Sequence, residues 1–134
     1  MNTQLLEQVR DAILEEPSRF SMKEWVNPNH PGSKCGTSAC IAGFALVLNT
    51  TKGDTAIATW KEGIFRWAYD PGYVLFEDAR KLLDLTSAQA ERLFADRNWP
   101  QPWRDVYRNA TTDQQAAGAA AGRINLFLET KGEQ

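Results

Sequence analysis

Apolar residues recur at helical spacing near the start of the chain. Leu5, Leu6, Val9, Ile13 and Leu14 make one stripe, which predicts a helix from about Thr3 to Glu16. Pro17 ends it, because proline brings no N–H to the helical ladder. Ser21 and Glu24 stand three apart, the spacing of a capping box, and predict a short helix starting at Met22. Residues 27–34 carry two prolines and a glycine, which is loop chemistry.

From Ala39 to Leu48 the pattern changes, because no polar face remains. A helix that is apolar all round must be surrounded by the rest of its domain. The chain therefore reads as mainly α, a small single-domain helical bundle over residues 1–134 built around a central helix at about Ser38–Leu48. Thr37 is its expected N-cap, since a hydroxyl there accepts from an unpaired N–H of the first turn. Residues 54–73 support two readings. Thr55, Ile57, Thr59, Phe65, Trp67 and Tyr69 alternate across Lys61-Glu62-Gly63, as in a short β-hairpin near residues 55–69. The same stretch also fits a short helix followed by an aromatic loop.

Helical pattern returns at Leu75–Leu83, with Ala79, Leu82 and Leu83 as its core face. Thr86 and Gln89 repeat the capping-box spacing and open a helix that turns Ala90, Leu93 and Phe94 inward, with Leu85 as a staple onto Ala90. Asn98-Trp99-Pro100 breaks the chain, and Pro102 starts a short helix through Tyr107. Trp99 and Trp103, both beside prolines, fix a corner of the fold. A last helix runs from near Thr112 to near Gly132, with Ala117, Ala120, Ala121, Ile124, Phe127 and Leu128 as its packed face.

The chain has 134 residues with 43% hydrophobic and 24% charged, enough for a core without staples. A net charge of −2 disfavours nucleic-acid binding, which calls for a basic face. The longest apolar run is half the ~20 residues of a membrane span. No basic start or apolar signal core opens the sequence, so a cytoplasmic protein is expected, with no membrane partner. In that compartment Cys35 and Cys40 are expected as thiols rather than a disulfide.

The string Cys35-Gly36-Thr37-Ser38-Ala39-Cys40-Ile41-Ala42-Gly43 is the most specific in the chain. It resembles the C-G-T-x-x-C-x-A-G signature of a family of small, uncharacterised phage and bacterial proteins. Residues 83–94 and Trp99-Pro100 look like later blocks of the same family. Phe44 stands where that pattern has a tryptophan. The resemblance implies a phage or mobile-element origin and no particular activity. A Cys-Gly string before a buried helix is also similar to the nucleophile segment of papain-type cysteine peptidases. Those enzymes need a histidine base downstream, and the one histidine here, His30, lies upstream.

Three functional readings follow. The leading one is a non-enzymatic binding protein for a host protein or a small anionic, nucleotide-like ligand, with no cofactor. Its surface would be the aromatic segment with Trp60, Arg66, Trp67 and Tyr69, since aromatics and Arg are common anchors. Gly36, Thr37 and Ser38 would add N–H groups and hydroxyls at a helix start, where anions bind. The competing account of these residues is plain core and plain capping. A second reading is a thiol or metal protein using His30, Cys35 and Cys40, opposed by too few ligands for a closed zinc site. A third, a cysteine hydrolase, is disfavoured by the position of His30.

Overall fold

The structure, a computed structural model, describes residues 1–23, 26–27, 38–50 and 72–134. Helix α1 spans Thr3–Glu15. The Asn2 side chain caps it, its Oδ1 accepting from the Leu5 N–H at 3.1 Å. Leu5, Leu6, Val9 and Ile13 are buried as their spacing predicts. Leu14 is not, being 47% exposed. It follows Leu5 by about two and a half helical turns and so faces the other way.

After α1, Pro17–Arg19 form a 3₁₀ turn and Phe20 is buried. The helix expected at Met22 is absent: residues 22–23 form a turn and Val26–Asn27 form strand β1. This strand pairs antiparallel with β2, Ser38–Ala39, in the register Val26–Ala39 and Asn27–Ser38.

The central helix, α2, spans Ile41–Thr50. It starts three residues later than the sequence suggests, because Ser38 and Ala39 give their backbone groups to the strand pair. Cys40 takes the N-cap position instead of Thr37, its carbonyl accepting from the Phe44 N–H at 2.8 Å. Ala39–Val47 includes Ile41 and Ala42 at 0% exposure and Phe44 at 2%, so the predicted buried helix is there. Leu48 is only partly buried and packs at the edge of the core.

Helix α3 spans Gly72–Leu82 and buries Leu75 and Ala79, with Leu82 at its edge. Asp84 takes a left-handed conformation (φ 52°) that lets the Leu85 N–H close on the Arg80 carbonyl at 3.0 Å. Helix α4, Ser87–Phe94, opens with the predicted capping box: Thr86 N–H donates to Gln89 Oε1 at 3.0 Å, and Gln89 N–H to Thr86 Oγ1 at 3.2 Å. Ala90, Leu93 and Phe94 are buried, as is Leu85 before the cap.

Trp99 is 1% exposed and donates from Nε1 to the Leu93 carbonyl at 2.9 Å, which fixes the corner its proline suggested. Helix α5 spans Trp103–Arg108 and α6 spans Asp113–Glu129. Their close approach rests on Gly122. A Cβ there would meet the Trp103 ring at 2.4 Å, so only glycine admits the indole. Helix α6 buries more than its predicted face: Ala119 and Arg123 are also inside, and Leu128 is only partly so. The cause is packing on two sides, against α1 and against α5. Helix α1 also contacts α2, and α2 contacts α3, so the helices follow one another across the bundle as α5, α6, α1, α2, α3. Among the described residues, no helix is long and apolar enough to cross a membrane.

Candidate functional site

The side chains of the predicted binding and metal residues divide sharply. Trp60, Arg66, Trp67, Tyr69, Gly36, Thr37, His30 and Cys35 lie outside the described residues, as does the hairpin expected near 55–69. Ser38 lies on β2, three residues before α2, so its backbone is strand rather than helix start. That removes it from the helix-terminus role its sequence position suggested.

Cys40 is buried at the head of α2. Burial pushes its thiol up to about 11, against smaller opposing contributions from the N–H groups of Gly43, Ala42 and Cys40 itself. At neutral pH it is a protonated thiol in an apolar surrounding, a poor nucleophile. Among the described residues, no three of His, Cys, Asp and Glu come together as a metal group.

The structure instead assembles a cleft that the sequence did not announce. It begins at Tyr107, on the last turns of α5. The Tyr107 ring packs edge-on against Phe20 (centroids 5.9 Å apart) and tilted against Trp99 (5.4 Å). Its hydroxyl accepts from the Met22 N–H at 2.9 Å, which pins residues 20–23 beside α5. Burial raises the Tyr107 pKa and nearby Asp96 adds to the rise, while the Met22 N–H and the Ser21 side chain oppose it. The phenol is therefore neutral and structural at physiological pH.

Between this strut and the start of α6 lies an open space of about 500 Å³. It is lined by Phe20, Ser21, Met22 and Lys23 from the segment after α1, by Asp96, Tyr107 and Arg108, and by Ala110–Asp113 and Ala116 around the start of α6. Two cations and two acids line it. Arg108 and Asp96 pair loosely with each other at 3.4 Å. Lys23 is exposed and takes part in no ion pair among the described residues. Helix α6 is 17 residues long, and Thr112 Oγ1 caps only its Gln115 N–H, at 3.1 Å. The first N–H groups of such a helix have no intrahelical partner, and its dipole leaves positive potential at this end.

The sequence missed this cleft because its walls are about ninety residues apart. Phe20 and Tyr107 each read as ordinary apolar positions, and nothing local joins them. The signals available were weak: a lysine just after Phe20-Ser21-Met22, and Thr112 as a cap with two further hydroxyl or small residues before it. No family model, curated protein or solved structure matches the chain.

Proposed function

We propose that this chain is a non-enzymatic binding protein that holds a small anionic, nucleotide-like ligand in the cleft between residues 20–23 and the start of α6. The observation that carries the reading is the coincidence, in one 500 Å³ space, of an exposed lysine and the N-terminus of a 17-residue helix. Such a volume suits a small molecule. A helix N-terminus beside a cation favours phosphate or carboxylate. The balance of the lining refines the class. Lys23 and Arg108 are offset by Asp96 and Asp113, so a bare polyanion fits poorly. A ligand with one anionic group, a flat apolar part and hydrogen-bond donors uses all of it. The flat part would lie against the Phe20 and Tyr107 rings, and the donors would reach the acids.

The test is a titration of the ¹⁵N-labelled protein with adenosine monophosphate, followed by NMR. Chemical-shift changes are expected at Met22, Lys23 and Thr111–Asp113. Inorganic phosphate should perturb the Thr112–Asp113 end alone. An absence of saturable shifts in this set, or shifts confined to other elements, would overturn the proposal.

A further inference from the structure

The two acids of the cleft have different surroundings. Asp113 is the first residue of α6 and is exposed, at a place where a carboxylate interacts favourably with the helix dipole. Asp96 opens the 3₁₀ turn Asp96–Asn98, which contacts both α4 and α5. Its backbone carbonyl accepts from the Trp99 N–H at 3.1 Å, and the buried Trp99 ring packs on Tyr107. Asp96 is thus anchored to the corner that carries the Tyr107 ring. Its charge reaches that ring, since it adds to the rise of the Tyr107 pKa.

The Asp96 carboxylate has room for a partner. Arg108 Nε donates to its Oδ2 at 3.4 Å, a long contact, and no other described residue donates to this carboxylate. Arg108 is 51% exposed and Asp96 32%, and both line the cleft. An ionised carboxylate offers about four acceptor sites and no donor.

An acceptor that cannot donate, held beside an aromatic ring, makes a chemical choice. A flat base lying against Tyr107 with an amino group on its edge brings N–H donors to Asp96. The same base with a carbonyl there sets one acceptor against another and leaves both unpaired. A site that bonds a ligand N–H rejects an analogue without it strongly, because its own polar group is then left without a partner.

We infer that Asp96 is the specificity-determining residue of the cleft, and that it selects nucleotides whose base carries an exocyclic amino group, as adenine and cytosine do, over those with a carbonyl in that place. Arg108 occupies Oδ2 and leaves Oδ1 to the ligand. The inference rests on the proposed binding of a nucleotide-like anion in this cleft and adds which bases the cleft accepts.

The full chain is titrated with adenosine monophosphate and with inosine monophosphate by isothermal titration calorimetry. The two share ribose and phosphate, so contacts to the anionic group cancel in the ratio of affinities. They differ on one edge of the base, where the amino group becomes a carbonyl and the adjacent ring nitrogen gains a hydrogen. The wild type is expected to bind adenosine monophosphate about tenfold more tightly, the worth of one charged hydrogen bond. In Asp96→Asn the side-chain amide can turn to donate to a carbonyl, so the preference should fall to about twofold or less, chiefly through a gain for inosine monophosphate. Equal wild-type affinities, or a preference for inosine monophosphate, would overturn this inference while the cleft reading stands; binding of neither nucleotide would remove both. A ratio unchanged in Asp96→Asn would overturn it too. So would an equal gain for both nucleotides, which would make Asp96 a general offset to the cations. If Asp96→Asn does not fold, Asp96→Ser, whose hydroxyl also donates or accepts, puts the same question, and the wild-type ratio remains decisive.

Discussion

Replacing Phe44 by alanine tests the buried helix on which the architecture rests. Phe44 sits one turn into α2 at 2% exposure and is among the largest fully buried side chains. Its removal deletes a ring from a helix with no polar face, where nothing exposed can swing in to fill the gap. Phe→Ala changes at such sites cost about 3–5 kcal/mol, the transfer of the ring plus the cavity left behind. For a chain of this length that lowers Tm by roughly 10–18 °C. Urea denaturation followed by circular dichroism gives the free energy directly. Leu14→Ala, at a position 47% exposed, is the matched control and should change stability by no more than about 0.5 kcal/mol. A loss below about 1 kcal/mol for Phe44→Ala, or losses equal in the two variants, would mean that α2 does not lie at the centre.

Two glycines on α6 should respond oppositely to alanine. At Gly118 a Cβ meets nothing within 4 Å, so Gly118→Ala should stabilise by about 1 kcal/mol through helix propensity; at Gly122 the Trp103 ring stands 2.4 Å from that Cβ, and overpacking of about 1–3 kcal/mol should outweigh the same gain, both read by urea midpoints. The raised thiol pKa of Cys40 stabilises the fold fully below pH 9 and is lost as pH rises towards 11, so stability should fall across that window and fall less in Cys40→Ala. Adding a chelator should leave the circular dichroism spectrum unchanged, and elemental analysis that found one zinc per chain would contradict this.

Local chemistry was the legible part of this fold. The α1 stripe, apart from Leu14, the Thr86–Gln89 capping box and the apolar run of α2 each depend on residues within a turn or two, and each forms the element that the sequence predicts there. What failed was non-local. The start of α2 moved from Ser38 to Ile41 because Val26 and Asn27, eleven or more residues upstream, pair with Ala39 and Ser38. The same pairing replaces the helix suggested by Ser21 and Glu24. Arg123 is outside the apolar pattern that predicts the packed face of α6, yet it stands three residues after Ala120 and four before Phe127, on the same buried side. The cleft was illegible for a related reason: its sides are joined by the Met22 N–H donating to the Tyr107 hydroxyl and by the Phe20–Tyr107 ring contact, the first across 85 positions.

The most direct measurement is the affinity of adenosine monophosphate for the wild type and for Lys23→Ala, by isothermal titration calorimetry. Lys23 is exposed and takes part in no ion pair among the described residues, so its loss should leave the fold and Tm unchanged. If the cleft holds an anionic group between Lys23 and the start of α6, affinity should drop about tenfold, the worth of one charge-assisted hydrogen bond. The drop should shrink as salt is raised, because the lysine is open to solvent. Equal affinities in the two proteins, or no binding by the wild type, would contradict the proposal.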